Sequence, residues 1–164
     1  MKINLFLVGF VVSTIFCSAQ ISTTRMNDFK IGMFPSDLFK LIGNKAAAIA
    51  IDTEFSIVNK GIEYTLYVGD GYLSGENGGA YLKSISTKSK NIKTLSGLGI
   101  GSTLDDLWNA YSTKYYVFIN KEIEGIRSFS IQDEQNGTIL TFELINGRVD
   151  KIEINSYNPE ECTL

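Results

Sequence analysis

The chain has 164 residues, and its 15 Lys and Arg against 18 Asp and Glu give a formal net charge of −3. A mildly acidic chain without a basic run offers no electrostatic attraction to nucleic acid or to an anionic membrane surface. The chain has no histidine, which excludes Ser-His-Asp and Cys-His catalytic devices and zinc sites that depend on imidazole. We therefore predict no catalytic residue, no metal, no cofactor and no nucleic-acid partner.

Residues 1–19 have the layout of a secretory signal peptide. Lys2 supplies a positive start, residues 5–16 (LFLVGFVVSTIF) form an apolar run, and small residues lead to a predicted cleavage before Gln20. The apolar run is shorter than the roughly 20 residues that a membrane-spanning helix needs, so we predict no transmembrane segment. We expect export to the periplasm or the cell exterior, with residues 20–164 forming one domain.

The two cysteines leave alternatives open. Cys17 follows the apolar run, where a lipid anchor could be attached, but a lipoprotein signal has a small residue before the cysteine and this chain has Phe16. The sequence thus favours release over lipid anchoring. Cys162 is the only cysteine in residues 20–164, so it cannot form an internal disulfide bond. It is either an exposed tail residue or a thiol that pairs with another chain.

Two similar phrases predict two short helices. KIGMFPSDLFKLI (30–42) and GIGSTLDDLWNAY (99–111) align at a constant offset of 69 residues. In the second, Ser102 is the predicted N-cap and Asp105 completes a capping-box-like pair. In the first, Pro35 suits the first turn of a helix and Gly43 ends it. Apolar residues recur at helical spacing in each phrase: Phe34, Leu38, Leu41 and Ile42, then Leu104, Leu107, Trp108 and Tyr111.

Alternating apolar residues predict strands after each helix. They lie at 54–58, 61–68 and 82–87 after the first helix, and at 114–120, 126–131, 137–144 and 149–154 after the second. Leu82 to Ile85 and Val149 to Ile152 are each three residues apart, which indicates a bulge or a strand start in both places. The dipeptide at 146–147 (Asn-Gly) predicts a tight hairpin. Residues 45–51 (KAAAIAI) fit either helix or strand.

These elements predict an α+β fold built as a tandem repeat. Each repeat, at about 27–88 and 96–156, would be a short helix followed by an antiparallel β-meander, with both helices packed on one face of the sheet. A single copy would bury too little apolar surface to be stable, whereas two copies that share a sheet could form a common core.

GIGSTLDDLWNAY (99–111) and FELINGRVDKIEI (142–154) carry a family resemblance. The pattern resembles small bacterial envelope domains of the β-lactamase-inhibitor-protein-like type, and the related small lipoprotein of the outer-membrane barrel assembly machine. The resemblance covers most of residues 27–156. It implies tandem helix-plus-sheet repeats in an exported protein, and protein binding through a concave sheet face and its loops. This chain departs from the family in having neither a small residue before Cys17 nor a cysteine pair in each repeat.

Carboxylates are the remaining candidates for chemistry. Asp37, Asp105 and Asp106 lie in the first turns of the predicted helices, where capping explains them. A hydrolase that uses carboxylates alone would instead require acids that converge in a pocket. The loop at 69–81 (GDGYLSGENGGAY) has oxygen donors among glycines, so it is either a hairpin extension or a calcium site, although its spacing matches no calcium motif considered.

Tyrosines give the best functional signal in the sequence. Three flank or lie in the loop and two begin a strand (YYVFI) that is apolar on both faces. That strand is either central and covered on both sides, or exposed as a binding platform. We predict a non-enzymatic protein that binds a protein partner through an aromatic sheet face and the glycine-rich loop. The alternative is a structural or assembly accessory of the cell envelope. The predicted contacts are Tyr67, Tyr72, Tyr81, Tyr115 and Tyr116.

Overall fold

Alternating apolar residues make most of this protein β-strand. The computed structural model describes residues 20–43, 51–71, 79–123 and 125–157. Two short strands, β1 and β2, precede a first helix and three strands; a second helix and four strands follow. The elements are β1 (Arg25–Met26), β2 (Phe29–Lys30), α1 (Pro35–Ile42), β3 (Thr53–Asn59), β4 (Ile62–Gly71), β5 (Gly79–Thr87), α2 (Leu104–Tyr111), β6 (Tyr116–Ile123), β7 (Ile126–Asp133), β8 (Thr138–Ile145) and β9 (Arg148–Ser156).

Strands β3 to β9 form one seven-stranded antiparallel sheet in the spatial order β3-β4-β5-β9-β8-β7-β6. The two halves of the chain meet where β5 pairs with β9, for example Ile85 opposite Ile154. Consecutive strands therefore lie side by side except at this junction, and β3 and β6 are the two edges of the sheet. The edge strands come from different halves of the chain.

One face of the sheet carries the hydrophobic core. Buried side chains alternate along β8 and most of β4, as Phe142 and Leu66 illustrate. Helices α1 and α2 each insert a leucine, Leu38 and Leu107, into the same buried cluster. The small β1–β2 sheet adds Phe29, whose ring meets Tyr64 edge-on with centroids 5.0 Å apart. We call the opposite face of the sheet the outer face.

The prediction of an α+β tandem repeat is wrong, because the fold is mostly β. Strands from both halves form a single sheet, with three strands from the first half and four from the second, rather than two helix-plus-meander units at 27–88 and 96–156. The similar phrases encode only a glycine turn and an eight-residue helix. Helices this short bury few side chains, so the strands dominate the architecture. Residues 45–51 were open to both helix and strand, and all of them except Ile51 lie outside the described residues.

Several local predictions are confirmed at the level of single residues. The ladders shift register opposite Lys83 in β5 and opposite Asp150 in β9, where the three-residue spacings indicated bulges. Asn146 and Gly147 both have positive φ, 51° and 78°, as a tight two-residue hairpin requires. One boundary is shifted: the N-cap of α2 is Thr103 with Asp106 at N3, whereas Ser102 and Asp105 were predicted.

Candidate functional site

The centre of the outer face is polar and hydrogen-bonded within itself. Ser130 and Thr141 are paired across β7 and β8, with their hydroxyl oxygens 3.0 Å apart. Glu153 of β9 accepts a hydrogen bond from Ser84 at 3.0 Å and pairs with Lys151 at 2.9 Å. These polar side chains separate the aromatic residues into two groups, one on β4 and β5 and the other at edge strand β6.

The first aromatic group surrounds Gly69 on β4 and β5. A Cβ at Gly69 would lie 3.0 Å from the Tyr67 ring and 3.1 Å from Cδ of Lys83, so glycine makes room for both side chains. Nζ of Lys83 lies 5.7 Å from the centre of the Tyr81 ring, within cation–π range. We call Tyr67, Gly69, Tyr81 and Lys83 the Tyr67 group. It is positioned by the β4–β5 hairpin, whose ladder continues to Gly71 opposite Gly79.

The Tyr67 hydroxyl donates a hydrogen bond to Oδ1 of Asp52 at 3.1 Å. This bond to a carboxylate raises the pKa of Tyr67, because the phenolate would lose the bond and repel Asp52. Tyr81 is only 6% exposed, so it supports Lys83 and offers little contact area itself. Tyr72 lies outside the described residues, as do most of the loop and two of its predicted oxygen donors, Glu76 and Asn77.

The second aromatic group lies at the other side of the sheet, on edge strand β6. Tyr116 is 67% exposed and its ring centroid lies 6.4 Å from that of Phe118. Tyr115, one residue before the strand, is also exposed and meets Tyr111 of α2 edge-on at 6.0 Å. Strand β6 is therefore an exposed edge strand, and the alternative of a central strand covered on both sides is wrong.

Isoleucines extend the exposed surface of β6. Ile119 points to the same face of the sheet as the core but is exposed, because β6 is the edge strand. Ile123 is 62% exposed at the end of the strand. Ile123 pairs with Ile126 of β7, which pairs with the exposed Ile145 of β8, so three isoleucines form a row. We call the exposed residues Tyr115, Tyr116, Ile119 and Ile123 the β6 edge. The isoleucines were not among the predicted contacts, because no local pattern marks an edge strand.

The predicted tyrosines do not form one surface. Tyr67 lies on β4 and Tyr116 on β6, which are separated by five strand spacings. At about 4.8 Å each, these spacings put the two groups roughly 24 Å apart. The structure thus places Tyr67 and Tyr81 together and Tyr115 and Tyr116 together, but not the two pairs with each other.

A cavity of about 440 Å³ opens on the outer face beside the starts of β4 and β9 and the end of β5. Its lining includes Glu63, Lys88 and Lys151. Lys88 pairs with Asp150 at 2.8 Å, which raises the pKa of Lys88, and Lys151 pairs with Glu153. Both ammonium groups are thus balanced by carboxylates, so the cavity offers no excess positive charge to an anion.

The helix-start carboxylates make local contacts. Asp106 caps α2 through Thr103, and Asp37 pairs with Lys40 on α1 at 2.7 Å. Asp105 is exposed at the start of α2.

In the described ranges, no group of three or more Asp, Glu, Cys or His side chains is arranged to hold a metal ion. No helix within those ranges has the length and apolar character needed to cross a membrane.

No family model, no curated protein and no solved structure matches the chain. The family resemblance of residues 99–111 and 142–154 therefore stays a prediction.

Proposed function

We propose that this chain is an exported, non-enzymatic binding protein that recognises a protein partner by accepting a partner strand at the β6 edge. The observation that carries the proposal is the exposure of large apolar side chains on an edge strand, with Tyr116 at 67% and Ile123 at 62%. An edge strand has backbone N–H and C=O groups that a further strand can pair with.

Natural sheets usually protect an edge of this kind. Charged side chains, prolines and short strands are the common protections. Strand β6 has eight residues and no proline, and its two charged residues, Lys121 and Glu122, lie with its bulge at the C-terminal end, so residues 116–120 have none of these protections. Apolar side chains project on both faces, so an added strand would gain contacts on both sides as well as backbone hydrogen bonds. This combination favours an edge that is covered when the protein functions.

The opposite edge, β3, is a natural comparison within the same sheet. Strand β3 also exposes an apolar residue, Val58 at 60%, but it carries Glu54 and Ser56 on its exposed positions. A carboxylate on an edge opposes burial by a neighbouring strand, since the charge would lose water without a partner. Residues 116–120 of β6 carry no charge, whereas the charges of β6 lie beyond them at its C-terminal end, so this segment is the better docking edge of the two.

The Tyr67 group is the second proposed contact. Tyr67 is half-buried and held in place by its bond to Asp52, so little side-chain entropy would be lost when a partner covers it. Tyr72 belongs to the same proposed contact on sequence grounds. Because the group lies roughly 24 Å from the β6 edge, a large partner could contact both, whereas a short peptide could contact only one.

Export is supported by the N-terminal sequence and by the position of Gln20. Residues 1–19 have the features of a signal peptide. Gln20 follows the predicted cleavage site, and its backbone N–H donates to the Lys93 carbonyl at 3.1 Å while its side chain accepts from Lys93 N–H at 3.2 Å. The first residue of the predicted mature chain thus takes part in the fold.

Site-specific photo-crosslinking in cells that export the protein tests the proposal. A benzophenone amino acid replaces Tyr116, and the matched control carries it at Val58 on β3. We expect a discrete covalent protein adduct from position 116 that disappears when Ile119→Lys is added, because the lysine places a charge on the docking edge. No adduct from position 116, or the same adducts from both edges, would contradict the proposal.

A further inference from the structure

We infer that the partner of the β6 edge is a second copy of this chain, paired antiparallel with β6 about a two-fold axis at Phe118. This inference rests on the proposed function, since it assigns an occupant to the same edge. The pairing would join two seven-stranded sheets into one continuous sheet and would cover both β6 edges at once. A two-fold dimer also closes on itself, so it does not grow into a filament.

The alternation of β6 restricts how two copies can pair. Tyr116, Phe118 and Asn120 lie on the outer face, whereas Val117 and Ile119 lie on the core side. A two-fold axis perpendicular to the sheet keeps the outer faces of both copies on the same side. Residues directly opposite each other in an antiparallel pair must point to the same face. One residue of β6 therefore lies opposite the same residue of the second copy, at the axis, and no residue lies opposite its own chain neighbour.

An axis at Phe118 places apolar residues opposite apolar residues. Phe118 meets Phe118 of the second copy on the outer face, and Val117 meets Ile119 twice on the core side. Aromatic and β-branched cross-strand pairs of this kind stabilise a sheet. The exposed Ile119 would be covered, and the Tyr116–Phe118 aromatic pair would continue across the axis.

Charge also favours this register. With the axis at Phe118, Lys121 lies opposite Tyr115 of the second copy, where the ammonium can contact an aromatic ring, and no two like charges are opposed. With the axis at Ile119, Lys121 lies opposite Val117 and loses the aromatic contact. Strand β6 thus fits a copy of itself best in one register.

The size of the paired segment indicates a weak dimer. Only residues 115–121 of each copy take part in the pairing. This contact is smaller than a standard stable interface, which buries about 800 Å² on each partner. We therefore expect a dissociation constant in about the micromolar range or above. Residues 20–164 hold 14 Lys and Arg against 18 Asp and Glu, because Lys2 lies in the predicted signal peptide, so each exported copy has a formal charge of −4. Added salt should therefore strengthen the dimer by screening the repulsion.

Sedimentation equilibrium of the exported chain, at concentrations from about 10 μM to 1 mM, measures the association. We expect a monomer–dimer equilibrium that Ile119→Lys weakens at least about tenfold, because two lysines enter each dimer beside apolar residues. The matched control is Val58→Lys on the other edge, which should leave the dissociation constant unchanged. Circular dichroism of each variant verifies that the fold is intact.

Pulsed electron paramagnetic resonance tests the register. A spin label is attached at Phe118→Cys, and in a separate sample at Val58→Cys, in exported chains that carry Cys162→Ser. Labels at position 118 should lie within about 20 Å of each other across the axis. Labels at position 58 should lie more than about 50 Å apart, because six strand spacings separate β3 from β6 in each copy.

The outcomes separate this inference from the proposed function. A monomer at every concentration, a species larger than a dimer, or a short distance between labels at position 58 overturns self-pairing. If the crosslinker at Tyr116 then traps a different protein, the proposed function stands and only the second copy is replaced as its partner. If position 116 traps neither this chain nor another protein, both proposals fall.

Discussion

Thr103 and Asp106 cap the start of α2 reciprocally. The backbone N–H of Thr103 donates to Oδ2 of Asp106 at 2.8 Å, and the N–H of Asp106 donates to Oγ1 of Thr103 at 3.2 Å. Two amides that have no partner within the helix are thereby satisfied. The helix has only eight residues, so its first turn depends strongly on this pair.

We expect Thr103→Ala to lower the free energy of unfolding by about 1 kcal/mol, the usual effect of losing an N-cap side chain. The backbone bond from Thr103 holds the pKa of Asp106 below its ordinary 3.8. The capping contribution is therefore present above pH 3.8 and is lost as pH falls through the lower folded-state pKa. Urea unfolding across this acidic range measures both effects. An Asp106→Asn variant should show a weaker pH dependence, and an unchanged dependence would contradict the assignment.

The same cap shows how far sequence can place a helix. The phrase at residues 99–111 predicted a capping box of Ser102 with Asp105, whereas the structure uses Thr103 with Asp106, one residue later. Thr103 is chosen because it also bridges to Arg148 at the start of β9, and because Ser102 is occupied as the acceptor for the Gly99 N–H at 3.1 Å. Those are long-range or turn contacts that spacing alone does not reveal.

A second prediction concerns Tyr64, which is buried under the β1–β2 turn and accepts a hydrogen bond from Nδ2 of Asn27 at 2.6 Å. We expect Tyr64→Phe to cost about 1 kcal/mol of stability, because the Asn27 amide loses its acceptor in a partly buried place. Chemical denaturation measures this cost. The control is Tyr116→Phe on the exposed edge, which should leave stability unchanged.

Burial raises the pKa of Tyr64 above its ordinary 10.0, because the phenolate is poorly solvated there. The stability associated with the neutral phenol is present below pH 10.0 and is lost as pH rises through the folded-state pKa. The wild-type protein should therefore lose stability faster than Tyr64→Phe above that pH. Equal slopes would show that Tyr64 does not titrate in this way.

Strand content was largely predictable, but the order of the strands was not. Alternation located β4, β8 and β9, and the broken alternation located both bulges, because these are local properties of the chain. The meeting of β5 with β9, and thus the exposure of β6 at an edge, depends on pairing between distant segments. YYVFI was therefore ambiguous in sequence, and the exposure of Ile119 and Ile123 was not predicted.

A third prediction concerns the mature N-terminus. We expect intact-mass analysis of the exported protein to show a chain that begins at Gln20 and carries no acyl group. The control is Ala19→Arg, which replaces the small residue at the cleavage site and should leave the precursor uncleaved. An acyl group on Cys17 would contradict this expectation and favour the envelope-accessory alternative.

The last prediction uses the contrast between Gly69 and Gly79, which lie on neighbouring strands. A Cβ at Gly69 would lie 3.0 Å from the ring of Tyr67, whereas one at Gly79 would have no atom within 4 Å. We expect Gly69→Ala to fold, because the atoms it displaces belong to the flexible ends of Tyr67 and Lys83.

The displaced Tyr67 ring should lose its bond to Asp52, so the pKa of Tyr67 should fall toward its ordinary 10.0. NMR titration of the tyrosine ring resonances measures this change, and Gly79→Ala is the matched control with no expected shift. If Gly69→Ala leaves the Tyr67 titration unchanged, the ring does not depend on the space above Gly69. The Tyr67 ring could then move while keeping its bond to Asp52, so the Tyr67 group would not be an ordered contact surface.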